Sequence, residues 1–184
     1  MLSALWLLLS VFSATGQAAE ISVHTTRHGE RFEIEATAEI DADVAPAWKV
    51  LTDYDRLADF IPGMRESRVV SRYGLNVVVD QRGDASMLFF RFPMSVRLAI
   101  EEFPFDRIVS SAISGNFKEL HGVYHLRAHA AGVRLSYEGT FTPDFAVPPL
   151  IGTLLVRSTV ERRFAAMAHE IEKTRRKEPL PGAR

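Results

Sequence analysis

Residues 31–41 alternate between apolar and polar side chains, which is the pattern of a strand with one buried face. Phe32, Ile34 and the apolar residues at every second position after them share one face, and three glutamates and a threonine occupy the other. A period of two with polar residues opposite predicts a half-buried strand.

Two short helices are predicted after this strand, because the period changes. Asp43 is of a residue type that caps helices, Pro46 fits a first helical turn, and apolar residues follow at helical spacing. A second short helix is predicted over residues 55–60, since Pro62 and Gly63 end it.

Six further strands are predicted, over residues 64–72, 76–85, 87–102, 107–114, 118–128 and 133–141. The segment 87–102 has the strongest pattern, because apolar residues from Leu88 to Ile100 occupy every second position. Pro93 lies on the opposite face and predicts an edge or a bulge there. Short connections between consecutive strands predict an antiparallel meander.

A long helix is predicted from about Pro149 to Lys177. Its apolar stripe has members three or four residues apart, namely Val156, Val160, Phe164, Met167 and Ile171. The charged residues of the helix, Arg163 among them, are placed mostly away from this stripe. Residues 178–184 contain two prolines and a glycine and are predicted to be a disordered tail.

These elements predict an α+β fold with a curved antiparallel sheet of about seven strands around one long C-terminal helix. The apolar face of the sheet must be covered, and the long helix is the element available to cover it. A sheet wrapped around a helix leaves a crevice between the two, and crevices of this kind bind apolar ligands.

The first 18 residues have the pattern of a secretory signal peptide. An uncharged apolar run from Leu2 to Phe12 is followed by small residues, with Gly16 and Ala18 at the positions that signal peptidase favours. We expect cleavage after Ala18 and a periplasmic location, although no Lys or Arg precedes Leu2 as in the usual pattern. A buried N-terminal helix or an uncleaved anchor is the alternative. The run is too short for a spanning helix, which needs roughly 20 apolar residues.

Composition excludes several classes of protein. The chain has 184 residues, no cysteine and a formal net charge of −1, from 22 Lys and Arg against 23 Asp and Glu. Without cysteine it has no disulfide framework and no thiolate metal site. Because its charges balance, it has no overall positive field, and a nucleic-acid partner is therefore not predicted. No linker or repeat divides it, so residues 19–177 are predicted to form one domain.

The segment around the two short helices resembles a known superfamily. Residues 53–64 are Asp-Tyr-Asp-Arg-Leu-Ala-Asp-Phe-Ile-Pro-Gly-Met, preceded by Ala-Pro-Ala-Trp-Lys-Val-Leu-Thr at 45–52 and followed by Ser-Arg-Val-Val at 67–70. This resembles the START-like (SRPBCC) superfamily, in its polyketide cyclase/dehydrase and coenzyme Q-binding branch. The resemblance implies a helix-grip fold over most of the chain after residue 18. It does not imply one function, because the superfamily includes lipid carriers, quinone-binding chaperones, ribosome-associated toxins, hormone receptors and a few cyclases.

Aromatic and large apolar residues on predicted inward faces are the candidates for lining the crevice. They are Trp48, Phe60, Phe90, Phe92, Tyr124, Tyr137, Phe141, Leu154 and Phe164. Trp48, Leu51, Phe60 and Ile61 would plug one end of the crevice. Ordinary core packing is the alternative role for each of these residues.

Catalytic and metal-binding residues are not predicted, and neither is a cofactor. His121, His125 and His129 recur every fourth residue, but in a strand that spacing covers roughly 13 Å, too far for two ligands of one ion. The carboxylates lie in turns or beside arginines, where solvated or ion-paired roles are expected. No short catalytic motif occurs in the sequence.

The start of the long helix is apolar on all sides and is predicted to form a mouth, a lid or a transient membrane contact. Its residues are Leu150, Ile151, Leu154 and Leu155. Burial by the flanking loops is the alternative.

The main functional hypothesis is an exported protein that binds or carries a lipid, quinone or isoprenoid in the crevice. An enzyme of the cyclase or dehydratase type in the same crevice is the alternative. A ribosome-associated interaction module is a third hypothesis, and export argues against it.

Overall fold

The computed structural model describes residues 19–87 and 90–177, without the side chains of residues 85–87, 90, 91, 149, 150 and 177. The predicted signal peptide at 1–18 and the predicted tail at 178–184 lie outside these residues and stay predictions. In the described part, eight strands and one long helix form a single layered unit. The α+β architecture predicted from the sequence is confirmed.

The elements follow one another in the order that the periodicity predicts, with one addition at the start. The strands are β1 (Glu20–His28), β2 (Arg31–Ile40), β3 (Met64–Tyr73), β4 (Asn76–Met87), β5 (Phe90–Phe103), β6 (Arg107–Gly115), β7 (Phe117–His129) and β8 (Gly132–Pro143). The helices are α1 (Val44–Thr52), a 3₁₀ turn (Tyr54–Arg56), α2 (Leu57–Phe60) and α3 (Pro149–Lys177).

β1 is the strand that the sequence analysis missed. It pairs antiparallel with β2 from Glu20 opposite Glu39 to His28 opposite Arg31, and Gly29 turns the hairpin at a positive φ of 63°. Its inward positions include one threonine, Thr25, and one arginine, Arg27, so the alternation of apolar and polar residues is weak. The sheet therefore has eight strands instead of about seven.

All neighbouring strands are antiparallel, in the order β1-β2-β8-β7-β6-β5-β4-β3. The chain passes from β2 on one side of the sheet to β3 at the far edge through α1 and α2. α3 packs on the concave face against β1, β2 and α1. The two short helices therefore close one end of the concave face.

Pro93 lies where β5 loses one of its neighbours, as the sequence predicts for a proline in a strand. The pairing of β5 with β6 ends at Val96 opposite Gly115, next to a bulge between Arg97 and Leu98. Beyond that point the side chain of Asn116 replaces a strand: its amide donates to the Pro93 carbonyl at 2.7 Å and its oxygen accepts from the Ser95 N–H at 2.9 Å.

Candidate functional site

Two neighbouring cavities lie between the sheet and α3. The first has a volume of about 220 Å³ and extends towards α1 and α2, and the second has a volume of about 170 Å³ and extends towards the start of α3. Both are lined by the same six residues at their junction: Met94, Phe117, Leu120, Tyr124, Tyr137 and Arg163. The two cavities are therefore parts of one crevice.

The first cavity has apolar walls. Leu51, Leu57 and Ile61 close it at the end formed by the short helices, and Leu98 and Ile100 form its floor on β5. Inward alternation on β5 places these side chains on the concave face. Gln81 of β4 and Ser110 of β6 add polar side chains, and each has a hydrogen bond, from Gln81 to Ser67 Oγ at 3.3 Å and from Ser110 to the Gly122 carbonyl at 3.2 Å. Tyr54 and Arg82 also line this cavity, and Arg82 donates to Glu66 at 3.1 Å.

The second cavity is mainly aromatic. Phe32 and Phe141 stack with ring centroids 5.1 Å apart, and Phe117 meets Phe141 edge to face at 5.9 Å. Phe92 of β5 stacks on Phe145 of the loop before α3 at 5.6 Å. This last pair joins the strand to the loop across one side of the cavity.

Tyr124 and Tyr137 face each other at the junction of the cavities. They are directly opposite in the β7–β8 ladder, with ring centroids 4.6 Å apart. Gly122 and Gly139, the next inward pair of the ladder, leave the space in which the Tyr137 ring lies. A Cβ would lie 2.4 Å from the Tyr137 hydroxyl oxygen if added to Gly122 and 2.2 Å from it if added to Gly139. Both distances are well inside van der Waals contact.

Arg163 brings a positive charge into this apolar crevice from α3. Its Nε atom is buried and has no hydrogen-bond partner among the described residues. Burial lowers the pKa of Arg163 from its usual value, while the nearby hydroxyls of Tyr124 and Tyr137 raise it. A guanidinium in a protein remains protonated at neutral pH.

The two tyrosines at the junction are hydrogen-bond donors and not bases. Burial raises the pKa of Tyr124 and of Tyr137, and the opposing effect of Arg163 is smaller. Among the described residues that line the two cavities there is no aspartate, glutamate or histidine. The arrangement can therefore hold an apolar molecule and donate hydrogen bonds to one negatively charged or carbonyl oxygen.

A family model described as "Polyketide cyclase / dehydrase and lipid transport" matches residues 40–168. This range covers well over half of the chain and includes both cavity tyrosines and Arg163. The chain belongs to this family. The resemblance to the START-like superfamily that the helical segment predicts is confirmed.

Several solved structures share the fold of this chain. The Zhui aromatase/cyclase from Streptomyces sp. R1128 is 16% identical with a TM-score of 0.66, over 83% of this chain and 98% of that chain. A STAR-related lipid transfer protein from Xanthomonas axonopodis is 14% identical with a TM-score of 0.66, over 84% and 94%. A START superfamily protein from Mycobacterium smegmatis is 13% identical with a TM-score of 0.60, over 79% and 97%. At these identities the likeness shows the helix-grip fold alone. A comparison with curated protein sequences finds no match.

Five of the predicted ligand-binding residues line the crevice of this family member: Phe92, Tyr124, Tyr137, Phe141 and Phe164. Their contact with a ligand stays a prediction. The side chain of Phe90 lies outside the described part of the chain.

Trp48, Phe60 and Leu154 are not among the described residues that line the two cavities, and their contact with a ligand also stays a prediction. Trp48 packs on Phe105, with ring centroids 5.7 Å apart, and Phe60 packs half-buried against the core. Leu154 is 59% exposed. The neighbours Leu51, Leu57 and Ile61 close the crevice in place of Trp48 and Phe60, because the short helices turn that side inward.

The predicted membrane patch needs a correction at Leu155. This residue is 3% exposed and lines the second cavity, so it cannot contact a membrane from its position in the structure. Leu154 is exposed and Ile151 is half-buried, and the side chain of Leu150 lies outside the described part. In the chain from residue 19 to 177, excluding 88 and 89, no helix has the length and apolar content that a membrane crossing needs.

The three regularly spaced histidines lie on the outer face of β7, away from the crevice. His121 Nδ1 is 3.0 Å from the Ser111 hydroxyl, and His129 Nε2 is 2.7 Å from a carboxylate oxygen of Glu39. The described residues contain no cluster of His, Asp or Glu that could hold a metal ion.

Sequence analysis missed Arg163, although the sequence contains a signal for it. The apolar stripe of α3 passes from Val160 to Met167, and Arg163 is three residues after the first and four before the second. It therefore lies within the stripe and not away from it. A charged residue at a stripe position is unusual enough to have marked it as a candidate.

Proposed function

We propose that this protein binds an apolar small molecule, such as a lipid, quinone or isoprenoid, between its sheet and α3. The observation that carries the proposal is the continuous crevice formed by the cavities of about 220 and 170 Å³. Ligand sites in proteins are mainly apolar clefts of a few hundred Å³ with a small number of polar groups. The family also includes proteins that transport lipids, by the description of its model.

The size of the crevice suits one chain or ring system. Burial contributes about 0.8 kcal/mol per methylene, so a chain of about ten methylenes gains roughly 8 kcal/mol before the costs of association. A gain of roughly 8 kcal/mol would alone correspond to a dissociation constant of about 1 μM, and the costs of association make the net affinity weaker than that. That strength suits a carrier, which must also release its cargo.

A cyclase or dehydratase is the second candidate, and the donors at the junction favour it. Arg163 and the hydroxyls of Tyr124 and Tyr137 could stabilise the negative oxygen of an enolate. Such a reaction also needs a base, and the described lining of the crevice offers no carboxylate or imidazole. This is why binding without turnover is the function that we favour.

We also propose that the protein is exported, which the sequence of residues 1–18 supports. An apolar run without charge, followed by small residues, is typical of a cleaved signal peptide. An exported carrier would bind its ligand in the periplasm or at a membrane surface there.

Native mass spectrometry of the full chain expressed with export to the periplasm tests both proposals at once. The expected result is a protein that begins at Ala19 and retains one apolar molecule, which organic extraction then identifies. Leu120 lines both cavities, so Leu120→Trp is expected to fill the crevice and abolish retention. Ile113→Trp on the exposed outer face is the matched control and should retain the ligand.

Two results would contradict the proposals separately. An intact Met1 on protein from the periplasm argues against cleavage after Ala18 without affecting the binding proposal. A wild-type protein that stays empty against a panel of lipids and quinones argues against binding. Conversion of the bound molecule into a cyclised or dehydrated product would favour the enzyme.

A further inference from the structure

Arg163 has no acidic partner among the described residues, whereas several other cations of α3 have one. Arg157 donates to Glu161 at 2.8 Å, Lys173 to Glu170 at 2.8 Å, and Arg175 to Asp41 at 2.7 Å. No ion pair of Arg163 occurs in the described part of the chain, and its Nε has no hydrogen-bond partner. These three cations lie outside the described walls of both cavities, whereas Arg163 lines both.

Arg163 is half-buried with its Nε atom buried, and a cation in such a position without a counter-charge destabilises the free protein. Removing a charged group from water is unfavourable unless a partner of opposite charge or several hydrogen bonds compensate for it. The apolar surroundings of Arg163 offer neither, and they are what lowers its pKa. A methionine or leucine would fill the same place in the stripe of α3 at no such cost.

The polar groups near Arg163 are donors as well. The hydroxyls of Tyr124 and Tyr137 are close enough to influence its pKa, and burial keeps both hydroxyls protonated. One cation and two hydroxyl donors therefore meet at the junction of two apolar cavities. What is missing from this cluster is an acceptor that carries a negative charge.

We propose that Arg163, with the hydroxyls of Tyr124 and Tyr137, binds the carboxylate group of an amphiphilic ligand whose apolar part occupies the cavities. The inference rests on the proposed function and names the class of ligand. A single guanidinium balances one negative charge, which fits a carboxylate better than a doubly charged phosphate monoester. Hydrogen bonds between a cation and a carboxylate are roughly twice as strong as neutral ones.

Binding of dodecanoate and of its methyl ester to the full-length mature protein tests the proposal. Both probes have the same chain, but only dodecanoate is charged at pH 7. We expect the wild-type protein to bind dodecanoate about 10- to 100-fold more tightly than the ester, by titration calorimetry below the micellar concentration. Arg163→Met should remove this preference and leave the affinity for the ester unchanged, and Arg163→Lys should retain part of it.

Arg162→Met is the matched control. Arg162 is the preceding residue of the same helix, it is exposed, and it lies outside the described walls of both cavities. Its removal changes the net charge by the same amount, so a long-range effect of charge would appear in both variants. We expect the preference for dodecanoate to be unchanged in Arg162→Met.

Thermal unfolding of the ligand-free variants separates a binding role from a structural one. If the role of Arg163 is to bind a ligand, Arg163→Met should raise the midpoint of thermal unfolding by several degrees. The reason is that an apolar side chain replaces a charge that has no partner in the free protein. A lower midpoint would mean that Arg163 supports the fold, and it would overturn the proposal. Arg163→Lys provides the binding data if the methionine variant does not fold.

The outcomes distinguish this inference from the proposed function. Equal affinity of the wild-type protein for dodecanoate and its ester would overturn the carboxylate site and leave the apolar crevice in place. An undiminished preference in Arg163→Met would do the same. Binding of acetate as tight as that of dodecanoate would indicate a site for free small anions and overturn the amphiphile. Binding of neither long-chain probe would overturn the proposed function itself.

Discussion

The Tyr137 side chain owes its position to two residues that have no side chains. Gly122 and Gly139 are paired across β7 and β8, and the Tyr137 ring lies over both of them. Any larger residue at either position would push the ring into the crevice. The junction of the cavities is therefore shaped by a glycine pair as much as by the aromatic residues that line it.

Gly122→Ala is expected to displace Tyr137 and to destabilise the fold by about 1–3 kcal/mol, as overpacking of a core does. The added methyl group would approach the Tyr137 hydroxyl oxygen to 2.4 Å. Chemical denaturation measures the loss of stability. The double variant Gly122→Ala/Tyr137→Leu is the control, because the alanine should cost less than about 1 kcal/mol once the ring is absent. A full cost in both backgrounds would mean that the clash with Tyr137 is not the cause.

At the level of single residues, the sequence predicts positions in strands better than positions in short helices. The period of two on β5, β7 and β8 correctly turned Phe92, Tyr124 and Tyr137 inward, since a strand has two faces. Which side of α1 and α2 meets the crevice depends on how these helices dock on the sheet. For that reason the sequence did not separate Leu51 and Ile61, which line the first cavity, from Trp48 and Phe60, which are not among its described lining residues.

At the level of elements, the β4–β5 hairpin carries an ordered ion pair on its outer face. Arg97 donates two hydrogen bonds to Asp80, at 2.6 and 2.8 Å, and Arg68 lies 3.9 Å from the same carboxylate. The hydrogen bonds from Arg97 are the main reason that the pKa of Asp80 is below its usual value. A carboxyl group whose pKa is lowered on folding stabilises the folded protein above its unfolded pKa.

This contribution is expected to disappear as the pH falls below about 4, the pKa of aspartate in an unfolded chain, towards the lower pKa of folded Asp80. Asp80→Asn should therefore lower the midpoint of thermal unfolding at pH 6 and have little effect at pH 2. Glu101→Gln is the control, because Glu101 lies on the same hairpin without an ion pair among the described residues. A difference between wild type and Asp80→Asn that is the same at both pH values would contradict this account.

Most elements of the fold could be predicted from periodicity, but β1 could not. Ile21 and Val23 are its apolar residues on the inward face, and threonine and arginine continue that face. The strand is held by its nine-residue ladder with β2 and not by a strong apolar stripe. Pairing of this kind depends on a partner strand and leaves little trace in the local pattern.

For the whole molecule, the two ends of α3 are anchored differently. The C-terminal half packs Phe164, Met167 and Ile171 into the continuous core. The N-terminal half covers the second cavity, and Arg27 of β1 fastens the loop before it by donating to the Val147 carbonyl at 3.1 Å and to the Pro148 carbonyl at 3.3 Å. Arg27 also lies over the Phe32 ring, 5.0 Å from its centroid. β1, the strand that the sequence pattern did not predict, therefore helps to close one end of the crevice through Arg27.

We expect Arg27→Met to loosen this end of α3 and to leave the other end unchanged. The two hydrogen bonds to the loop that Arg27→Met removes correspond to roughly 1–2 kcal/mol, so amide hydrogens in residues 150–158 should exchange about tenfold faster or more. Hydrogen exchange followed by mass spectrometry measures this, with residues 164–175 as an internal reference.

Arg31→Met is the matched control, because Arg31 lies near the same hairpin turn and pairs with Glu119 at 3.5 Å without touching the loop. If both halves of α3 exchange faster together, the helix opens as one unit. If only the N-terminal half responds, this half opens independently of the rest of α3.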